Sequence, residues 1–322
     1  MTFTEAQQFI FAHGRDFSAS LGDYIHVAGE LRRMKPGEFP EYMRSSRAAF
    51  VSSFTIQGLA DACAVRSLSH NIRLDTYTAP YNQFSQEFLG AESGLIRFRP
   101  QVTFILLDEP DIIDVSHLGN IVRALKENVS GHAVMFRFVR SGSGQRDRSR
   151  AFNELLEKTQ DDTFHLFDFP QFVEKIGVKE HWYTKYKELG DLRLAPSAFV
   201  PLSESLMRYV VASSGAAKKC LAVDLDNTLW RGIIGEDGLS GIAPHTELQR
   251  EIKRLYEKGI ILAVNSRNNP ADALEAMNHH PDMIVNEEHF AAMRINWNDK
   301  ATNIREMQKA GAERQVTFEL LG

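Results

Sequence analysis

The sequence contains very little cysteine. Only Cys63 and Cys220 occur among its 322 residues, far apart and without the spacing of metal ligands. A disulfide framework needs several paired cysteines, and a zinc site needs them clustered with one another or with histidine. We therefore expect neither feature, and the low cysteine content favours a reducing compartment, the cytoplasm.

An excess of basic charge and long apolar runs are also missing. The chain has 37 lysines and arginines against 42 aspartates and glutamates, a net charge of -5. Proteins that bind nucleic acid by charge carry a concentrated basic face, so a nucleic-acid partner is not expected. No run of about 18 apolar residues is present and the first residues form no positively charged leader, so we expect neither a membrane span nor secretion.

The sequence does contain two series of alternating strand and helix patterns, which predict an α/β fold with largely parallel sheets. Hydrophobic residues make up 43% of the chain, enough for two cores. We predict a helical lead-in over residues 1–44, an α/β domain over 45–215 and a second one over 216–322. A stretch of small residues at 212–218 is the predicted linker.

Three buried strands are predicted in the second domain, at 220–223, 260–264 and 282–285. Helices are predicted between them, one near Leu248 and one that begins at Pro270. A hairpin-like flap is expected at Gly235-Glu236-Asp237-Gly238. This order of elements is typical of a Rossmann-like sheet.

A pair of aspartates follows the first of these strands, in the string C-L-A-V-D-L-D-N-T-L-W. Side chains two positions apart on extended chain point the same way, so Asp224 and Asp226 can face one reacting group. A carboxylate can attack phosphorus to form an aspartyl-phosphate, given a cation and a second acid for the leaving group. Asp224 fits the nucleophile and Asp226 the acid, both are candidate Mg²⁺ ligands, and Thr228 can hold a phosphate oxygen.

The next predicted strand ends in a second polar string, N-S-R-N-N. Because the carboxyl ends of parallel strands meet at one edge of a sheet, Ser266 is expected to share a phosphate with Asp224. Asn268, two residues further on, is predicted to bind the phosphate as well.

The string D-x-D-N-T-L-W resembles the first motif of the haloacid dehalogenase superfamily. With the G-x-x-G-E-D-G run that follows Arg231, it is most similar to the FkbH-like branch, subfamily IIIC. The later string I-N-W-N-D-K-A is similar to the third motif of that branch, in which Lys300 would balance the charge of Asp224 and the phosphate. The resemblance implies a capless phosphatase domain that uses Mg²⁺. It also implies removal of a phosphate from 1,3-bisphosphoglycerate and delivery of the glyceryl unit to an acyl carrier protein in polyketide-type pathways.

Two departures from the family pattern stand out. Asn265 replaces a cysteine in the second motif, so transfer through an enzyme-bound thioester is not implied. Leu320 and Leu321 stand where relatives have the acidic pair of the fourth motif, which supplies magnesium ligands. We therefore expect weakened metal binding and a sheet incomplete at its C-terminal end. The alternative hypothesis is a catalytically impaired protein or fragment that acts as a carrier-binding scaffold.

The first domain has its own resemblance. The run V-S-S-F-T-I-Q-G-L at 51–59 is similar to the start of the SGNH serine-esterase fold but lacks the Gly-Asp that precedes the nucleophile. Ligands of such sheets bind beyond the carboxyl ends of the strands, which makes Ser52, Ser53 and Asp108 the positions of interest. A degenerate domain that docks a partner is the favoured interpretation, and a serine esterase is a third hypothesis.

An esterase of this type also needs a D-x-x-H pair to activate its serine. Two such strings occur, Asp114 to His117 and Asp162 to His165. The first lies early in the domain, and the second places its histidine in a predicted strand. An arginine-rich loop at 140–150 is predicted to be a solvated surface, with phosphate or carrier binding as the alternative.

Overall fold

The computed structural model describes residues 1–14, 17–139, 148–177, 190–215, 219–312 and 318–321. Most of the arginine-rich loop and the end of the predicted linker lie outside these ranges. The chain divides into two compact units, Met1–Ala216 and Ala217–Gly322. None of the helices in the described ranges is long and apolar enough to cross a membrane.

The first unit is built on a five-stranded sheet in which every pairing is parallel. The strand order is β2-β1-β3-β4-β5, the order of flavodoxin-like folds. The strands are β1 (Arg44–Ser52), β2 (Ile72–Thr78), β3 (Val102–Leu106), β4 (His132–Phe136) and β5 (Phe164–Phe167). The helices are α1 (Phe3–His13), α2 (Leu21–Arg33), α3 (Leu59–Arg66), α4 (Phe84–Leu89), α5 (Gly94–Phe98), α6 (Val115–Asn128), α7 (Arg148–Thr159), α8 (Phe169–Ile176) and α9 (Phe199–Ser213).

Both faces of this sheet are covered by helices. Successive side chains of a strand point to opposite faces, so Phe50 and Val51 of β1 belong to two separate cores. Helices α3, α8 and α9 contribute to the core around Phe50, and α4, α6 and α7 to the core around Val51. Burial on both faces explains why β3 reads as a continuous apolar run rather than an alternating one.

The two N-terminal helices belong to the first unit and bury their apolar faces near α3. Tyr24, Val27 and Val65 share one core with residues of both helices. Each helix begins at a capping box, formed by Thr2 with Glu5 in α1 and by Ser20 with Asp23 in α2. These caps satisfy backbone N–H groups that the first turn of a helix leaves without intrahelical acceptors.

The second unit contains a four-stranded parallel sheet of order β10-β9-β6-β11. Its strands are β6 (Cys220–Val223), β9 (Ile261–Ser266), β10 (Phe290–Ile295) and β11 (Phe318–Leu321), and β7 (Trp230–Arg231) and β8 (Ala243–Pro244) form a small hairpin. The helices are α10 (Ile234–Gly241), α11 (Thr246–Glu257), α12 (Pro270–His279) and α13 (Lys300–Ala312). A core around the fully buried Trp230 fills one face of the sheet.

Two predictions about elements of the second unit were wrong. The segment 282–285 is not a strand, because the N–H groups of Ile284 and Val285 donate to the side-chain oxygen of Gln249, at 2.8 and 3.3 Å. The third strand of the four-stranded sheet, in chain order, is β10, which begins at Phe290. The expected flap has a hairpin stem, β7 with β8, but its tip is the helix α10, interrupted at Gly238 by a backbone φ of 65°.

Candidate active site

Asp224 lies at the carboxyl edge of the second sheet, immediately after β6. Its Oδ2 accepts a hydrogen bond from Lys300 Nζ at 2.5 Å, and its Oδ1 accepts one from the N–H of Leu225 at 2.8 Å. Lys300 is the first residue of α13, so a helix on one face of the sheet brings a cation to a carboxylate at the end of a strand. A charge-assisted contact of this kind fixes both side chains.

Asp226 is held by different partners. Its Oδ1 accepts from the indole N–H of Trp230 at 2.9 Å and from the N–H of Ile234 at 3.2 Å, and its Oδ2 accepts from Asn268 Nδ2 at 2.9 Å. All three donors are N–H groups. A carboxyl oxygen has two lone pairs, so Oδ2 can carry a proton and still accept from Asn268. The arrangement suits a group that alternates between acid and base.

A tight turn between the two aspartates and Trp230 orients these groups. Asn227 has a φ of 57°, in the left-handed region that asparagine tolerates better than most residues. Its side-chain oxygen accepts from the N–H of Gly232 at 3.1 Å, while the carbonyl of Leu225 accepts from the N–H of Leu229 at 2.7 Å. The turn sends the chain back so that Trp230 reaches Asp226.

The structure brings some of the predicted phosphate ligands to the aspartates and leaves others apart. Lys300 donates a hydrogen bond to Asp224, and Asn268 donates one to Asp226. Ser266 ends β9, the strand next to β6, and only 1% of it is exposed. Thr228 makes no hydrogen bond to these residues in the described part of the chain. It lines a groove of about 730 Å³ together with His245 and the first turn of α11.

Several residues of this site were not predicted. Trp230 and Ile234 hold Asp226, and buried asparagines surround the start of α13. Two signals were available in the sequence: Asn296, the first asparagine of the I-N-W-N-D-K-A string, and Asn303, which follows Lys300 by three residues and so shares its helix face. Cys220 plays no comparable part, because burial raises the pKa of its thiol to about 11.

The residues present supply only part of a magnesium site. Asp224 retains lone pairs for a cation, but Mg²⁺ needs near-octahedral oxygen ligation. No group of three His, Cys, Asp or Glu side chains suited to a metal occurs among the described residues. Strand β11 pairs with β6 so that Glu319 lies beside Leu221 and Leu321 beside Val223, as the strands approach the site. The described residues therefore bring two carboxylates, Asp224 and Asp226, to this edge of the sheet.

Of the two candidate serines of the first unit, Ser53 lies in a closed environment, whereas Ser52 lines a cavity of about 470 Å³. Ser53 is fully buried, and its Oγ accepts from the N–H of Asp108 at 3.0 Å. Ser52 Oγ accepts from the N–H of Phe54 at 3.1 Å. Asp108 Oδ2 accepts from the buried guanidinium of Arg193 at 2.9 Å. These contacts stabilise the strand ends and leave no hydroxyl open to a substrate at Ser53.

Neither D-x-x-H string completes an esterase site. Asp114 caps α6 by accepting from the N–H of His117, whose Nδ1 accepts from the N–H of Ile113. His165 lies in β5 with its Nε2 3.2 Å from Nδ1 of His132. Among the described residues no histidine bonds to Ser52 or Ser53, so neither D-x-x-H string forms a serine–histidine pair there.

Comparison with solved structures supports the architecture. The chain is similar to the N-terminal part of a protein from Bacteroides fragilis that contains a phosphatase domain and was solved in complex with Mg. The likeness has a TM-score of 0.65 at 22% identity, and covers 93% of this chain and 88% of that chain. The predicted fold class, α/β with two parallel-sheet domains, is confirmed by this likeness and by the two sheets.

Two hydrolases match part of the chain. One is a catalytic mutant of an acetylxylan esterase from Geobacillus stearothermophilus, with a TM-score of 0.38, 9% identity, and coverage of 53% of this chain and 96% of that one. The other is a lipolytic protein of the G-D-S-L family from Desulfitobacterium hafniense, with a TM-score of 0.36, 9% identity, and coverage of 51% and 98%. No protein-family model and no curated protein matches the sequence.

Proposed function

We propose that the second unit is a phosphatase of the haloacid dehalogenase type with the function of the FkbH-like branch. It would act on a phosphorylated three-carbon acyl donor of the 1,3-bisphosphoglycerate type and serve an acyl carrier protein. The observation that carries the proposal is the contact of Lys300 Nζ with Asp224 Oδ2, with Asp226 two residues away on the same sheet edge. The likeness to a chain that contains a phosphatase domain supports it.

Each side chain then has a defined task. Asp224 attacks phosphorus, so that an oxygen–phosphorus bond forms to its carboxylate as the bond to the leaving oxygen breaks. Asp226 gives that oxygen a proton and then takes one from the water that hydrolyses the aspartyl-phosphate. Lys300 offsets charge on the phosphoryl oxygens. Ser266 and Thr228 are proposed to donate hydroxyl hydrogen bonds to them.

The charge at the site indicates a need for a further cation. Lys300 balances the carboxylate of Asp224, so the two negative charges of an incoming phosphoryl dianion remain in excess even when Asp226 is protonated as the acid. Mg²⁺ held by the carboxylate of Asp224 and the backbone carbonyl of Asp226 would supply that positive charge. We propose Mg²⁺ as the cofactor on these grounds and on the magnesium complex of the Bacteroides fragilis chain.

The two phosphates of such a donor differ in chemistry. Attack at the phosphorus of the acyl phosphate would release a carboxylate and discard the activation of the acyl group. We therefore assign the ester phosphate to Asp224, because its alkoxide leaving group needs the proton from Asp226. The carrier thiol would attack the remaining acyl phosphate at its carbonyl carbon, forming the thioester and expelling phosphate, with the thiol proton lost to solvent. Asn265 has no nucleophile to offer, so this transfer would be direct.

The proposal is tested by phosphate release from 1,3-bisphosphoglycerate, with and without an acyl carrier protein. We expect release that depends on Mg²⁺ and a glyceryl thioester on the carrier, detected by intact mass. Asp224→Asn should reduce release by roughly 10³-fold or more, as loss of a nucleophile does in other covalent mechanisms. Equal release by wild type and variant would overturn the proposal.

A second candidate function is a carrier-binding scaffold without turnover. The observation that favours it is the register of β11, which places Leu320 and Leu321 beside Ala222 and Val223, next to Asp224. A site that lacks the acidic pair would bind magnesium poorly. The scaffold predicts binding of a carrier protein, measured by titration calorimetry, with no release of phosphate at any magnesium concentration.

A further inference from the structure

We infer that a network of asparagine side chains, Asn265, Asn296 and Asn303, positions Lys300 and thereby sets the affinity of the site for a phosphoryl group. This inference rests on the proposed function, since it concerns how the same site is held in shape. The three residues are called the asparagine network below. None of them is a catalytic residue, because each acts through the backbone around Lys300.

The network connects the end of β9 to the first turn of α13. Asn265 Nδ2 donates to the carbonyl oxygen of Lys300 at 3.1 Å, and its Oδ1 accepts from Asn303 Nδ2 at 3.1 Å. Asn303 lies three residues after Lys300, on the same face of the helix. A single side chain of the strand therefore holds the helix at both Lys300 and Asn303.

Asn296, the third member, links the network to the end of β10, the strand next to β9. Asn303 Nδ2 also donates to Asn296 Oδ1 at 3.0 Å, and Asn296 Nδ2 lies 3.3 Å from Asn303 Oδ1. The N–H of Asn296 donates to the carbonyl of Ser266 at 3.1 Å. The first turn of α13 is thus tied to the ends of β9 and β10 together.

Burial makes these contacts specific. Asn265 is 4% exposed and Asn303 is 1% exposed, so an amide left without a partner here would pay its full desolvation cost. The side-chain nitrogen and oxygen of both residues take part in the contacts given above, and Asn303 Nδ2 makes two of them. Few other orientations of α13 would give the amides of Asn265 and Asn303 the same hydrogen bonds. The network therefore fixes the position of the first turn of the helix.

That position matters because a lysine side chain is long and flexible. Its ammonium group is a point charge on a four-carbon stem, and its place is only as well defined as its backbone and its partner. β6 and β9 pair with Val223 beside Val264, which puts Asp224 level with Asn265. The residue that anchors the Lys300 carbonyl therefore stands beside the carboxylate that Lys300 Nζ must reach.

The test uses nearly isosteric variants that delete the amides, Asn265→Leu and Asn303→Leu. Gln249→Met is the matched control. Gln249 is a fully buried amide of the same unit, which binds the carbonyl of Leu229 and the N–H groups of Ile284 and Val285. Its loss removes comparable buried hydrogen bonds without touching α13. If either leucine variant fails to fold, Asn265→Ser or Asn303→Ser replaces it.

The first readout needs no enzymatic activity. The rate at which an acetylating reagent modifies Lys300 is followed by peptide mass spectrometry in the full-length protein. We expect the rate to rise about three- to tenfold in both asparagine variants, the size expected for loss of one hydrogen bond that holds the amine in its ion pair. Gln249→Met should stay within about twofold of wild type by the same reasoning. Unchanged labelling in the asparagine variants, or an equal rise in all three, would overturn the inference.

The second readout is binding of orthovanadate, a phosphate analogue, by titration calorimetry. Asn303→Leu is expected to raise the dissociation constant about tenfold in wild type and to have little further effect in a Lys300→Met background, since coupled residues are not additive. Equal losses in both backgrounds would mean that Asn303 does not act through Lys300. If the wild type binds no orthovanadate, the proposed function loses support, while the labelling experiment still decides the role of the network.

Discussion

Asn268 Nδ2 donates to Asp226 Oδ2 at 2.9 Å, so Asn268 braces the carboxylate assigned to proton transfer, and its binding of phosphate stays a prediction. Asn268 is 4% exposed, and its own Oδ1 accepts from the N–H of Asn269 at 3.2 Å. The side chain is therefore fixed at both ends. Asp226 is positioned from the loop that follows β9 as well as from its own turn.

We predict that Asn268→Ala lowers kcat for a phosphate ester by roughly 10- to 100-fold, because a misplaced acid loses part of its contribution of about 10²- to 10⁴-fold. Steady-state phosphate release is the measurement. Asn278→Ala, on the adjoining helix α12, is the control and should keep wild-type activity. A wild-type kcat in Asn268→Ala would mean that Asp226 needs no brace.

Asp226→Asn should affect substrates according to their leaving group. A phosphate ester of an aliphatic alcohol releases an alkoxide, which needs a proton, whereas acetyl phosphate releases a carboxylate, which does not. We expect the variant to lose about 10²- to 10⁴-fold in kcat on the ester and much less in the first step on acetyl phosphate. Burst kinetics of phosphoryl transfer to Asp224 would separate that step from hydrolysis. Equal losses in the transfer step on both substrates would exclude Asp226 as the acid.

Removal of magnesium should abolish phosphate release by the wild type. Lys300 alone cannot balance the carboxylate of Asp224 and a phosphoryl dianion, so a chelator is expected to reduce the rate to background and added Mg²⁺ to restore it. Because the described residues provide an incomplete shell, half-maximal activity should need magnesium at about millimolar levels. A rate insensitive to chelation would refute the magnesium assignment.

Much of this architecture could be predicted because buried parallel strands have a strong sequence signature. β3 and β6 read as short apolar runs that end at polar residues, and the carboxyl edge of such a sheet is where ligands bind. The sequence pattern therefore places Asp224, Asp226 and Ser266 at one edge. The string around Lys300 predicts its role by resemblance, and in the structure its amine contacts Asp224.

The remaining features depend on tertiary contacts that carry no periodic signal. The segment 282–285 has the β-branched composition of a strand, but Gln249 satisfies its backbone from a distant helix. β10 is rich in alanine and has weak strand propensity, so pairing with β9 defines it. Likewise, the pairing of Asn265 with Asn303 depends on how α13 is rotated against the sheet. Local sequence does not encode that rotation.

Arg193 is expected to be essential for the stability of the first unit. Its guanidinium bonds to Asp108, Asp111 and Asp191, and only 8% of its side chain is exposed. Burial opposes the charge on Arg193, but the hydrogen bonds that its guanidinium donates to Asp191 and Asp111 outweigh this effect and raise its pKa. Arg193→Met would leave three carboxylates without their shared cation and should cost about 3–5 kcal/mol.

Hydrogen exchange of peptides from β1 and β3 is the measurement for this substitution, since it reports on the first unit alone. Arg150→Met is the control, because Arg150 is 73% exposed and pairs with Glu154 one helical turn away. Such a surface pair contributes about 0.5 kcal/mol or less. Wild-type protection in Arg193→Met would show that the carboxylates do not depend on the arginine.

The first unit should become less stable in mild acid because of His165. Burial, and next the neighbouring His132, lower the pKa of this imidazole from its ordinary value of 6.5. The folded state therefore favours the neutral ring, and the unfolded chain binds the proton more tightly. Above about pH 6.5 the titration of His165 does not change the free energy of unfolding. Below that pH the free energy of unfolding falls, because the unfolded state then takes up more protons than the folded one.

Urea unfolding between about pH 7.5 and pH 5 checks this sign, with the midpoint expected to fall as the pH is lowered. His165→Gln can keep a hydrogen bond to His132 but does not titrate, so it should show a shallower loss of stability in acid. His26→Gln, on the exposed side of α2, should follow the wild type. An identical pH dependence in His165→Gln would assign the acid sensitivity to groups other than His165.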